Sequence, residues 1–218
     1  LRSPHAHAEI KGMDIAAAKA APGVLLVLTG DDVKADDLGA MPCMFPVTNL
    51  DGSARGETYR PLLAQEKVRH VGEPVAFIVA DTPEQARDAA ELIEVDYNVL
   101  PSTTDTYGSS LDGVARIHDD VVNNVCFDWG KGQQDETEAA FAKANHVTTL
   151  ELINNRIVVN AMEPRAAIAD YDAASDRTTL YTSSQGTHGI RNTIADNILK
   201  IDKEKLRVVT GDVGGGFG

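Results

Sequence analysis

The residues with the clearest chemical potential lie at the end of the chain, in Gly211-Asp212-Val213-Gly214-Gly215-Gly216-Phe217-Gly218. Consecutive glycines after an apolar strand give backbone that can adopt φ > 0 and approach a ligand without an intervening Cβ. Successive free N–H groups of that kind form a nest for phosphate or another anion. A flexible turn is the simpler account of this feature alone. No Gly-Lys-Ser/Thr follows it and no GxGxxG is present, so it is not a standard phosphate or dinucleotide loop.

A second constellation is Ser183-Ser184-Gln185-Gly186-Thr187-His188, between a strand and a helix. Such a turn presents N–H groups and a positive dipole end, and Gln185 could donate its amide to a bound oxygen. Plain helix capping around Thr187 is the competing reading. A third is Asn160-Ala161-Met162-Glu163-Pro164-Arg165, where carboxylate and guanidinium could pair with each other or with a ligand. A strand-entry turn fixed by Pro164 explains it equally well. His5 and His7, two apart, would share one face of a strand, but with no third ligand nearby packing explains them better. No hydrolase elbow or HExxH accompanies them. The two cysteines, Cys43 and Cys126, are too few for a thiolate zinc or iron–sulfur centre.

Alternating elements must position these groups. An alanine-rich run from Met13 to Ala21 reads as a short helix capped by Asp14 and ended by Pro22-Gly23. Val24–Leu28 reads as a buried strand closed by a turn at Thr29-Gly30-Asp31-Asp32. Periodicity vanishes from Leu38 to Arg60, a long surface excursion. Pro74–Ala80 is a strand running into the capping box Thr82-Pro83-Glu84-Gln85. The helix that follows has one apolar face, Ala86, Ala89, Ala90 and Ile93. Val95, Tyr97 and Val99 alternate with polar residues as a half-exposed strand.

After a polar stretch the pattern resumes. A helix is expected over Asp135–Ala144, and strands over Val147–Ile153, Ala166–Tyr171 and Thr178–Thr182. Thr187–Lys200 is a helix with Ile190, Ile194 and Ile198 spaced by four, and Leu206–Val209 is a final strand. The fold class is α+β. The expected division is residues 1–105, a linker over 106–125, and a second unit over 126–218.

Composition agrees with a folded chain: 43% hydrophobic and 24% charged residues supply both core and surface. The net charge of −13, with no basic stripe, disfavours nucleic acid. No apolar stretch approaches the ~20 residues of a membrane span. Leu1-Arg2-Ser3-Pro4 is not an ordinary start and the chain stops within its glycine run, so both ends read as cut.

Several of these segments, taken in order, resemble the large subunit of the xanthine dehydrogenase/aldehyde oxidase family of molybdenum hydroxylases. Within that family the resemblance is strongest to the bacterial branch with aerobic carbon monoxide dehydrogenase. The matching stretches are Arg2–Ala8, Pro61–Ala64, Val68–Ala76, Val95–Tyr97, Leu100-Pro101, Met162–Ala166, Tyr171-Asp172, Ser184–Gly186 and Asp212–Gly218. The resemblance implies an α/β-hammerhead domain followed by the beginning of a molybdopterin-binding domain. It assigns Gln185 to an oxygen ligand of molybdenum, and Gly215, Gly216, Phe217 and Gly218 to the loop that approaches the cofactor. Glu163 and Arg165 also match, and are expected to be structural.

The family's chemistry is oxidation of a small substrate (an aldehyde, an N-heterocycle or carbon monoxide) with water as the oxygen source. The resemblance places the catalytic base C-terminal to this segment, so no catalytic residue or metal ligand is expected here and the segment alone should not turn over. It further implies a cytoplasmic enzyme with molybdenum–molybdopterin in the cytosine dinucleotide form. Its partners would be the remainder of the large subunit, a medium flavin (FAD) subunit and a small 2Fe-2S subunit, in a dimer of heterotrimers. A free-standing phosphate- or nucleotide-binding module using the glycine loop, and a non-catalytic interaction segment, are the alternatives.

Overall fold

A computed structural model describes residues 1–43, 46–155 and 158–217. The first hundred residues build two small antiparallel sheets. Strand β1 (Ala8–Asp14) lies between β3 (Lys67–Val68) and β5 (Glu94–Val99), while β2 (Val24–Thr29) pairs with β4 (Ala76–Ala80). Helix α1 (Ala16–Ala20) and helix α3 (Pro83–Glu91) cover the second sheet. Ala18, Val27, Ala76, Ala89 and Ile93 are buried together between them. A second cluster, Ala8, Ala64, Val68 and Val75, packs with Ile10, Met13, Val95 and Tyr97 of the first sheet.

Helix α3 forms as its sequence dictates. Thr82 Oγ1 accepts the Gln85 amide at 3.2 Å and Gln85 Oε1 accepts the Thr82 amide at 3.1 Å, satisfying two otherwise orphaned donors. The expected apolar face is the buried one.

Three expectations change here. Met13 and Asp14 belong to β1, with Asp14 Oδ1 accepting the Ala16 amide at 2.9 Å rather than starting the helix itself. Thr29–Asp32 opens a short helix, α2 (Gly30–Ala35), because Thr29 and Asp32 form their own capping box. Strand β2 is not buried throughout: its sheet is two strands wide and covered on one face, so Leu26 and Phe77 are exposed.

The remaining residues hold helix α4 (Gln134–Lys143), exposed along its whole length, and a three-stranded sheet. Strand β6 (Ala167–Asp172) is antiparallel to β7 (Arg177–Thr182), which is parallel to β8 (Leu206–Val209). The crossover between the parallel strands is helix α5 (Thr187–Asn192), continued by wider π-helical turns over Thr193–Leu199. Ala195, Ile198 and Leu206 are buried. The segment Val147–Ile153, expected as a strand, has no ladder partner among the described residues. Leu150, Leu152 and Ile153 face solvent there.

Two contacts tie the parts together. The Gly39 amide donates to the Ile198 carbonyl at 2.8 Å, beside a 2.6 Å ion pair between Lys200 and Asp37. The irregular excursion around residue 50 is held by the Leu50 amide on the Asp128 carbonyl and the Gly56 amide on the Cys126 carbonyl.

Candidate functional site

Parallel pairing of β7 and β8 sends both chain exits to the same edge of the sheet, and β6, being antiparallel, enters there. Three segments that the sequence sets far apart therefore meet: the Glu163 turn before β6, the Ser183–Gly186 turn after β7, and the glycine run after β8. Thr210 fastens the two exits. Its hydroxyl accepts the Ser184 amide at 3.3 Å and lies 3.4 Å from the Ser184 carbonyl.

Glu163 joins all three. One carboxylate oxygen accepts the Ser183 hydroxyl at 2.6 Å and the other accepts the Gly214 amide at 2.8 Å. These donors, the hydroxyl first and the amide second, hold the Glu163 carboxyl below the usual glutamate range. By sequence Glu163 is expected to be structural. Its partners lie 20 and 51 residues away, and no local spacing reveals that pairing.

Gln185 is exposed, and its carboxamide rests against the glycine run. A methyl group added at Gly216 would lie 2.5 Å from Gln185 Cδ and Oε1. Gly215 has φ +120°, and a Cβ there would also meet the Phe217 ring at 2.6 Å. Phe217 itself has φ 55° and an exposed ring. Gln185, Gly215, Gly216 and Phe217 are thus brought together, while Gly218 lies outside the described residues. Among the described residues no acceptor is seated on the amides of Gly215, Gly216 or Phe217. The arrangement offers free N–H donors and a carboxamide around backbone with no side chain in the way, which suits the oxygen-rich edge of a cofactor. An open groove of about 310 Å³ runs beside it, bordered by Glu163, Ile168, Tyr181, Ser183 and Asp212.

The histidines do not join this site. His7 is buried with Nδ1 2.8 Å from the Pro101 carbonyl, and His5 meets the Tyr97 ring edge-on at 4.9 Å. Both precede β1 instead of lying within a strand. His118 sits where burial, then Arg69, pushes its pKa down. Among the described residues no three His, Cys, Asp or Glu side chains converge as metal ligands. No helix there is long and apolar enough to cross a membrane.

Known proteins share this arrangement of elements. Residues 1–101 match the family described as "Aldehyde oxidase and xanthine dehydrogenase, a/b hammerhead domain", and residues 117–218 match the "Molybdopterin cofactor-binding domain". The carbon monoxide dehydrogenase large chain of Afipia carboxidovorans is 34% identical over all of this chain and 27% of its own length. The nicotine 6-hydroxylase large subunit of Paenarthrobacter nicotinovorans is 32% identical over all of this chain and 26% of its own. The chain thus spans about a quarter of the length of the curated relatives it matches. Quinoline 2-oxidoreductase from Pseudomonas putida superposes with a TM-score of 0.84 at 34% identity, over all of this chain and 27% of that one. With the ordered motifs and the hammerhead and cofactor-binding regions matched in turn, the chain belongs to the xanthine dehydrogenase/aldehyde oxidase family of molybdenum hydroxylases.

Proposed function

We propose that this chain contributes one wall of the molybdopterin site in a molybdenum hydroxylase that oxidises a small substrate with water as the oxygen source. The observation that carries this reading is the seating of the Gln185 carboxamide on the Gly216 backbone, beside a glycine run fastened by Glu163. Gln185 and the amides of Gly215, Gly216 and Phe217 would hold the cofactor. Gly218, in the same motif, is assigned to that loop on the resemblance alone. When bound, the cofactor supplies a molybdenum centre able to accept the electron pair removed from substrate. This chain's residues donate hydrogen bonds to it, fix its orientation and exclude side chains from its edge.

The corresponding division is a hammerhead domain over 1–105, a linker over 106–125 and the first part of the cofactor-binding domain over 126–218. The relatives act on carbon monoxide and nicotine by name. An aldehyde, an N-heterocycle or carbon monoxide is accordingly the proposed substrate class. We assign the cofactor the cytosine dinucleotide form, with FAD and 2Fe-2S centres on partner subunits in a cytoplasmic dimer of heterotrimers. The catalytic base comes from outside these 218 residues, and the chain by itself is inactive.

The test is metal and pterin analysis of the full-length protein purified with its partner subunits. Near-stoichiometric molybdenum and an organic pterin are expected. Absence of both, together with tight binding of a simple nucleotide, would replace this reading with a nucleotide-binding one.

A further inference from the structure

Between α4 and the Glu163 turn lies a run with the composition of a strand and none of a strand's bonding. In Val147–Ile153, Leu150 and Leu152 share one face of an extended chain, while Val147 and Ile153 share the other. Apolar residues on both faces suit a strand in the interior of a sheet, covered from both sides. Here they face solvent: Leu150 is 75% exposed, Leu152 78% and Ile153 84%.

The backbone of the run is equally open. Among the described residues no backbone amide or carbonyl from 147 to 153 has a hydrogen-bond partner, and the run is held only by a 3.1 Å contact between the side chains of His146 and Thr148. Irregular chain elsewhere in the molecule is not like this. The excursion around residue 50 has the amides of Asn49, Leu50, Gly52 and Gly56 all seated on carbonyls. An open apolar edge of this kind is a template for pairing with any other chain it meets, which native proteins avoid by covering it.

We infer that Val147–Ile153 is a strand whose ladder neighbour comes from the part of this same polypeptide C-terminal to Gly218. The length of chain available supports that occupant. The carbon monoxide dehydrogenase large chain of Afipia carboxidovorans is matched over only 27% of its length, and the nicotine 6-hydroxylase large subunit over 26%. The run also lies inside residues 117–218, matched to one cofactor-binding domain. A strand on the same polypeptide is present at high effective concentration from the moment it is made, and closes the edge before separate subunits meet. The run leads directly into Glu163, so its pairing also anchors the turn that fastens the glycine run. The inference rests on the family relationship and not on the cofactor reading, because a protein purified without molybdenum would still pair this strand.

The test uses the full-length protein with its partner subunits, by crystal structure and by amide hydrogen exchange. Backbone hydrogen bonds from 147–153 to residues numbered above 218 of the same polypeptide are expected. Amides in the run should exchange at least about a hundredfold more slowly than in an unfolded chain. A ladder formed instead with a partner subunit, a second copy or β6 overturns the inference. So does a run left on water, with exchange at the unfolded rate. Exchange in the full-length large chain produced without its partners gives a second reading. Protection retained there supports the inference, and protection that appears only in the complex overturns it.

Discussion

The Glu163 carboxylate accepts the Gly214 amide at 2.8 Å, across 51 residues of chain, and so fastens the glycine run to the turn that precedes β6. Replacing this acceptor tests whether the run is held or merely rests in place. Glu163→Ala should raise hydrogen exchange at the Gly214 amide about tenfold, without altering exchange in α3. Unchanged exchange would show that Gly214 is fixed by something else.

The same contact gives the site a pH dependence. Its donors depress the Glu163 pKa in the folded state, so the stabilisation is present above the ordinary glutamate range. It is lost as pH falls through the depressed folded value. Protection of the Gly214 amide, relative to its intrinsic exchange rate, should therefore fall only in acid, and that acid limb should vanish in Glu163→Gln.

Glycines in the run are not equivalent. Gly216→Ala would set a methyl 2.5 Å from the Gln185 amide, whereas a methyl at Gly211 meets nothing within 4 Å. In the full-length protein Gly216→Ala should lower molybdenum and pterin content several-fold, with Gly211→Ala indistinguishable from wild type and within about 0.5 kcal/mol of its stability. Equal cofactor content in the two variants would remove Gly216 from the proposed wall.

At the contact between the two parts of the chain, Gly39 tolerates no side chain. A Cβ there would lie 1.6 Å from the Asn197 carbonyl oxygen. Gly39→Ala should cost about 3 kcal/mol or more, seen as a lowered unfolding midpoint. Asp37→Ala, which removes only an exposed ion pair with Lys200, should cost less than about 1 kcal/mol.

In α3 the capping box is a local device with a local penalty. Thr82→Ala removes the acceptor for the Gln85 amide and should destabilise the helix start by about 1 kcal/mol, read from exchange at Gln85 and Ala86.

These residues also show what the sequence discloses. Thr82, Gln85 and the Ala86–Ala89–Ile93 stripe are near neighbours, so α3 and its buried face were legible in full. The Thr29–Asp32 box reads as a turn in sequence because its helix is only six residues long. Ile190, Ile194 and Ile198 announced a helix, but a strict spacing of four drifts around α-helical turns of 3.6 residues. The π-helical turns from Thr193 are wider and reduce that drift. Val147–Ile153 alternates like a strand, yet a strand needs a neighbour to pair with, and pairing is not written in the segment itself. Gln185 and the glycine run were legible as separate features. Their meeting, and the part Glu163 plays in it, required the β7–β8 crossover.

That crossover also sets a timetable. The β6–β7 hairpin pairs residues close in sequence and can close early, whereas Glu163 cannot meet Gly214 until the chain has been made to that point and β8 has docked beside β7. The entropy of closing so long a loop grows only slowly with its length, so the delay comes from the order of synthesis and docking rather than from a large thermodynamic obstacle. During translation the proposed cofactor wall is consequently among the last parts of these 218 residues to take shape. Loading of a cofactor there would follow folding of this segment and could not guide its first steps.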